Sequence, residues 1–188
     1  MKKLFLVIAC VLSITTLSAQ NKENFYLYGV DFSYARVYAA DESVEQFAKA
    51  FTAINMLLVQ ESEKYDFSRI VNRRVNVVMD PILKIASTCN YSGLKTWDST
   101  YTVPDYAAII KGYNLPEKEG TGIIMMAKVL NKLENHATYE LIIFDIASRN
   151  IIAQRKVKGN AGGFGLRNYW ARSVYEITET TRIKMPAK

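Results

Sequence analysis

Gly122-Ile123-Ile124-Met125-Met126-Ala127-Lys128-Val129-Leu130-Asn131-Lys132-Leu133, then Ala137-Thr138-Tyr139-Glu140-Leu141-Ile142-Ile143-Phe144-Asp145, then Ile151-Ile152-Ala153-Gln154-Arg155-Lys156-Val157: apolar runs of strand length follow one another late in the chain. The links between them include Glu134-Asn135-His136 and Ile146-Ala147-Ser148-Arg149-Asn150. Connectors this short join antiparallel neighbours, because a parallel return needs a long crossover. The stretch predicts an antiparallel three-strand meander. A glycine-rich turn, Gly159 to Gly165, then leads into a helix from Leu166 to about Thr180, with Tyr169, Trp170 and Tyr175 on its aromatic side.

Upstream, Phe25 to Val37 is rich in aromatic and branched residues and predicts a first strand. Between Asp41 and Ser62, the residues Val44, Phe47, Ala48, Phe51, Ile54, Leu57 and Leu58 recur at the three-to-four spacing of an amphipathic helix. Ser43 and Gln46 have capping-box spacing, with Asp41 an alternative cap. Arg74 to Met79 alternates polar and branched residues and predicts a second strand. Asp80-Pro81 opens a short helix ending near Asn90, since proline is tolerated in the first turn. Val103-Pro104-Asp105 opens another over Tyr106 to Tyr113. Strands separated by helices, then a meander and a closing helix, predict an α+β fold. The expected sheet is mixed, of about five strands, with helices on one face. The other face must be polar, or covered by a loop or a partner.

The 188 residues are 49% hydrophobic and 22% charged, the balance of an ordinary globular protein. Met1-Lys2-Lys3 is a basic head, Leu4 to Leu12 an apolar run, and Thr15-Thr16-Leu17-Ser18-Ala19 a small-residue end. This is the three-part pattern of a signal peptide over residues 1–19, cleaved after Ala19. Residues 20–188 are then expected to form a single α+β domain, periplasmic or secreted, with no transmembrane span. A rival reading takes Val7-Ile8-Ala9-Cys10 as a lipobox with a lipidated Cys10. The very short leader it leaves, and the apolar residues continuing past Cys10, favour the soluble reading.

The formal charge of +6 includes Lys2 and Lys3 of the leader. The densest basic patches are Arg73-Arg74 and Arg155-Lys156 with Lys158, well short of a nucleic-acid footprint, and no nucleic-acid partner is expected. Cys89 is the cysteine left after the leader and cannot close an intramolecular disulfide. His136 and Cys89 do not make a zinc spacing, no calcium loop is present, and no metal or other cofactor is expected. His136 falls in a connector, a poor place for an oriented base, and there is no nucleophile elbow. Asp31, Asp66, Asp80, Asp98, Asp105 and Asp145 lie outside helices or at their ends. Asp80 and Asp105 suit caps beside proline, and Asp145 suits the turn beyond a strand. No catalytic residue is assigned.

Two stretches stand out as binding candidates. Gly162, Gly163 and Gly165 precede a helix start, where free backbone N–H groups and the helix dipole favour an anion, with Lys158 and Arg167 adding charge. The competing reading is a tight strand-to-helix turn with Phe164 and Trp170 in the core. Tyr26, Tyr28, Tyr34 and Tyr38 recur at even spacing, so on one strand they would share a face suited to an interface. The alternative is that these rings pack against the meander.

From Gly120 to Tyr175 the pattern resembles the amino-terminal domain of TolB and the related fold in CsgG. The residues that carry it are Tyr106-Ala107-Ala108-Ile109-Ile110, the strand after Gly120-Thr121-Gly122, and Tyr139 through Ile152 with its polar turn. Gly162-Gly163-Phe164-Gly165 and Asn168-Tyr169-Trp170 depart from that fold and are closer to small secreted proteins of Gram-negative bacteria. The resemblance implies a sheet with helices on one side and an envelope role through protein contacts, and it transfers no catalytic residues. The expected function is a non-enzymatic envelope module that binds another envelope protein or itself. The alternative is a small-ligand or anion-binding protein using the turn at 159–167.

Overall fold

The computed structural model describes residues 23–98, 101–102 and 104–185. The expected signal peptide over 1–19 and the rival lipobox at Cys10 lie outside the described residues. The strands are β1 (Phe25–Asp31), β2 (Arg36–Tyr38), β3 (Val75–Val77), β4 (Lys95–Thr96), β5 (Thr121–Asn131), β6 (His136–Asp145) and β7 (Ile151–Asn160). The helices are α1 (Val44–Gln60), α2 (Ser68–Val71), α3 (Asp80–Thr88), α4 (Tyr106–Gly112) and α5 (Leu166–Thr180).

All seven strands form one sheet. Its organiser is β5, which is buried along almost its whole length. One edge of β5 takes β1 along its first half and β2 along its end, both parallel. Beyond them lie β3 against β1 and β4 against β2, again parallel. The other edge takes β6, which in turn pairs β7, both antiparallel.

Five expectations are overturned. The fold is α/β rather than α+β, because four of the six strand pairings are parallel. The sheet has seven strands, not about five. The expected first strand is two: it ends at Asp31, turns through 32–35 and resumes as β2, while β4 hides in a stretch without strand periodicity. The carboxy-terminal segment is also not a self-contained meander, since β5 is an interior strand whose second edge is filled by β1 and β2. Connector lengths report only the local pairings, and the non-local parallel ones leave no such trace.

Helices on one face is likewise corrected, for both faces are covered. Ile123, Met125 and Ala127 of β5 turn toward a core with Phe47, Phe51 and Ile54 of α1, Ile70 of α2 and Trp170, Val174 and Ile177 of α5. Ile124 and Met126 turn the other way, onto Ile82 of α3, Tyr106 and Ile110 of α4, and Tyr113 and Leu115 beyond it. A strand apolar at consecutive positions is the signature of burial on both sides. Among the described residues, no helix is long and apolar enough to cross a membrane.

Candidate functional site

The site is built at one end of the sheet. The lateral pairings place Thr96, Tyr38, Asn131, His136 and Asn160 in one row across β4, β2, β5, β6 and β7. With strands about 4.8 Å apart, that row spans roughly 19 Å. Just beyond it the chain displays three large apolar side chains: Trp97 (77% exposed), Leu133 (70%) and Phe164 (95%). Trp97 follows β4 directly, Leu133 lies two residues past β5, and Phe164 lies in the turn between β7 and α5.

Phe164 is the most exposed of the three. It lies between Gly163 (φ +104°) and Gly165 (φ +80°), conformations that L side chains rarely adopt. The loop is anchored on both flanks. Ala161 N–H donates to the Asn135 carbonyl at 2.8 Å, and Gly162 N–H to the Tyr169 carbonyl at 2.9 Å. Asn160 donates from its backbone (2.6 Å) and its amide (2.9 Å) to the Glu176 carboxylate. Tyr169 donates its hydroxyl to Asn135 and carries Lys132 Nζ over its ring at 3.8 Å. Trp170 is fully buried, whereas Phe164 is outside the core altogether. The reading of both rings as core residues therefore holds for Trp170 alone.

Phe164 borders a groove of about 660 Å³ between the glycine turn, α5 and the end of α1. Tyr65 and Tyr175 supply aromatic walls, their rings edge to face at 6.3 Å. Burial pushes the Tyr65 hydroxyl above its usual pKa, so it stays a neutral hydrogen-bonding group at ordinary pH. The groove's carboxylates are all engaged: Glu61 with Lys64 at 2.9 Å, Glu176 with Asn160, and Glu179 with Arg69. Its guanidiniums at Arg167 and Arg172 make no ion pair among the described residues. Among the described residues Arg167 bonds the Asn168 amide oxygen, at 3.0 Å.

The structure divides the expected anion set. Gly162, Gly163 and Arg167 line the groove, whereas Lys158 stands on β7 opposite Thr138 and Gly165 is the residue before α5. The Gly162 N–H is already bonded within the protein. The tyrosine set is divided too. Tyr28 is fully buried, stacks on Phe144 and donates to Glu117 at 2.8 Å. Tyr26 is half-buried against the second core, Tyr34 is exposed in the turn after β1, and Tyr38 belongs to the terminal row on β2. They do not share one strand. His136 is 8% exposed at the start of β6, with Nδ1 3.3 Å from Glu134, so it is not a solvated turn residue. Trp97 and Leu133 were not singled out by sequence reasoning. Their signal is modest: Trp97 is one large apolar residue in an otherwise polar stretch, and Leu133 closes the apolar run that opens at Gly122.

No family model matches the chain, and no curated protein is significantly similar to it. Among solved structures, the chain is similar to the LpoB C-terminal domain from Salmonella enterica. That similarity covers 74% of this chain and 83% of the other, at 15% identity and a TM-score of 0.33. So distant a likeness assigns no function, nor does it single out TolB or CsgG.

Proposed function

We propose that this chain is an exported, non-enzymatic assembly module that docks through the Phe164 end of its sheet, with a second copy of itself as the occupant. The leader pattern at residues 1–19 supports export to the periplasm or beyond, and one domain over 20–188. The observation that carries docking is Phe164, 95% exposed on a doubly anchored turn beside its own groove. An exposed ring gains by burial, and a protein that displays one in water forgoes that gain unless a partner takes it.

The groove is suited to such a ring. Tyr65 and Tyr175 offer aromatic walls, and Arg167 and Arg172 are free to lie over a π face. A projection beside a matching recess is the requirement for a two-fold contact in which each copy fills the other. Like charges do not dominate the surface, because Glu61, Glu176 and Glu179 offset Lys64, Arg167 and Arg172. The resemblance of 120–175 to TolB and CsgG is compatible with an envelope role through protein contacts.

Sedimentation velocity over a range of concentrations tests this. The natural chain should show a concentration-dependent dimer, and Phe164→Ser should remain monomeric with unchanged unfolding. A natural chain that stays monomeric throughout would rule out the second copy and leave a different envelope protein as the occupant.

The unpaired Arg167 and Arg172 favour a second reading, an anion held at the 159–167 turn. Inorganic phosphate would then raise the melting temperature of the natural chain and not of Arg167→Ala.

A further inference from the structure

A second candidate site holds a buried carboxylate with no cation in ion-pairing range among the described residues. Asp31 ends β1 and is 2% exposed. It accepts the Tyr113 hydroxyl at 2.5 Å and the Ser33 N–H at 2.8 Å. Both donors are neutral, and no Lys, Arg or His lies within ion-pairing distance among the described residues. A carboxylate has about four acceptor positions, so two bonds leave it under-satisfied. Buried charge is normally balanced by an opposite charge, because burying it alone is costly.

Asp31 forms part of the wall of a cleft of about 470 Å³ between α3 and α4. Ile85, Ala108 and Ile109 supply apolar walls, and Tyr34 and Tyr113 supply rings. Ser33 lines the same cleft, and its hydroxyl is buried with no hydrogen-bond partner among the described residues. The position is also the favoured one in an α/β sheet, outside the carboxyl end of a parallel strand. The Tyr113 hydroxyl is held far above its ordinary pKa, first by burial and then by the Asp31 charge, so it cannot neutralise that charge by giving up its own proton as a phenolate would require.

We infer that this cleft binds a small organic cation, a primary ammonium on a short alkyl chain, with Asp31 as its counter-ion. Asp31 takes the ammonium, the Ser33 hydroxyl accepts one of its N–H bonds, and the tyrosine rings and Ile109 enclose the alkyl part. An anion is excluded by the Asp31 charge. A bare metal ion is poorly served, since no group of three metal-capable side chains exists among the described residues. The site is independent of the Phe164 surface.

The test uses n-butylammonium, with 1-butanol as the neutral isostere at matched ionic strength. Cys89 lines the cleft and reports occupancy through its alkylation by iodoacetamide, followed at the peptide level. At ten times the dissociation constant, n-butylammonium should slow Cys89 alkylation about tenfold and raise the melting temperature. Butanol should do neither, and Asp31→Asn should lose both effects. Because Asp31→Asn also alters a buried bond, Ala108→Trp serves as the second variant. It starts from an exposed position on α4 and fills the cleft with Asp31 intact. It should abolish the ammonium effect while unfolding normally. No protection by n-butylammonium, equal protection by butanol, or protection that persists in either variant overturns the assignment.

Discussion

Asn55 shows how a single polar side chain can complete a sheet. It lies in the apolar stripe of α1 and is 1% exposed. β3 pairs β1 only from Phe25 to Leu27, and β1 is bulged at Gly29 (φ +105°). Past that point, among the described residues, the outer edge of β1 has no strand beside it. Asn55 substitutes for one: its amide oxygen accepts the Val30 N–H at 2.8 Å, and its amide nitrogen donates to the Val30 carbonyl at 2.9 Å. Gly29 makes room, since a Cβ there would come within 2.6 Å of the Asn55 oxygen and 2.5 Å of Met79 Sδ. Asn55→Ala would strand both backbone groups in the core, where each unmet bond costs about 1–3 kcal/mol. Urea unfolding should show a loss of roughly 2–6 kcal/mol, and a midpoint equal to that of the natural chain would refute the role. The sequence does carry a trace of this, a lone amide between Ile54 and Leu58 on a buried stripe. Its partner does not appear there, because nothing local announces the missing strand.

At the scale of elements, α5 and β7 meet at closest range where Gly159 faces Ser173. A Cβ on Gly159 would lie 2.0 Å from the Ser173 carbonyl oxygen, and a backbone atom cannot swing aside. Around this contact the Tyr139 and Ser173 hydroxyls bond at 2.6 Å, and Asn160 is held by Glu176. Gly159→Ala must therefore lift the helix as a unit. An overpacking cost of about 1–3 kcal/mol follows, with the turn that presents Phe164 displaced along with it. Trp170, fully buried on α5, reports the shift by fluorescence once the exposed Trp97 is replaced by Phe. Unchanged Trp170 emission and unchanged stability would show that the contact relaxes freely. α5 itself is legible from sequence, because Gly165 precedes Leu166, Trp170, Ala171, Val174 and Ile177 at helical spacing. The short strands are not. β2 and β4 have three and two residues, too few for alternation to register, and they exist because β5 offers β2 an edge and β2 in turn offers one to β4.

The whole molecule follows from β5. Its unbroken apolar run admits two interpretations, a strand half-buried in a local meander or one buried on both faces inside a larger sheet, and connector length favours the first. The packing chooses the second, because consecutive residues such as Ile123 and Ile124 each need their own core. The same two-sided burial draws tyrosines inward. Tyr28, Tyr91, Tyr106, Tyr113 and Tyr139 all have hydroxyls pushed well above the usual pKa, with desolvation the largest cause in each. They are distributed over both cores and the Asp31 cleft, so their ionisation is a property of the entire fold. A raised folded pKa means that the folded state holds the proton more tightly. The corresponding stability is intact below the unfolded value of about 10 and is lost as pH climbs beyond it. Each tyrosine still protonated in the folded state then contributes a loss of about 1.4 kcal/mol per pH unit. Several acting together should make alkaline unfolding steep. Phenolate absorbance at 295 nm from these five rings should rise late, coincident with loss of the circular dichroism of the sheet. Complete ionisation near pH 10 with native dichroism retained would mean that water reaches both cores, and the two-sided packing of β5 could not then be the source of the molecule's stability.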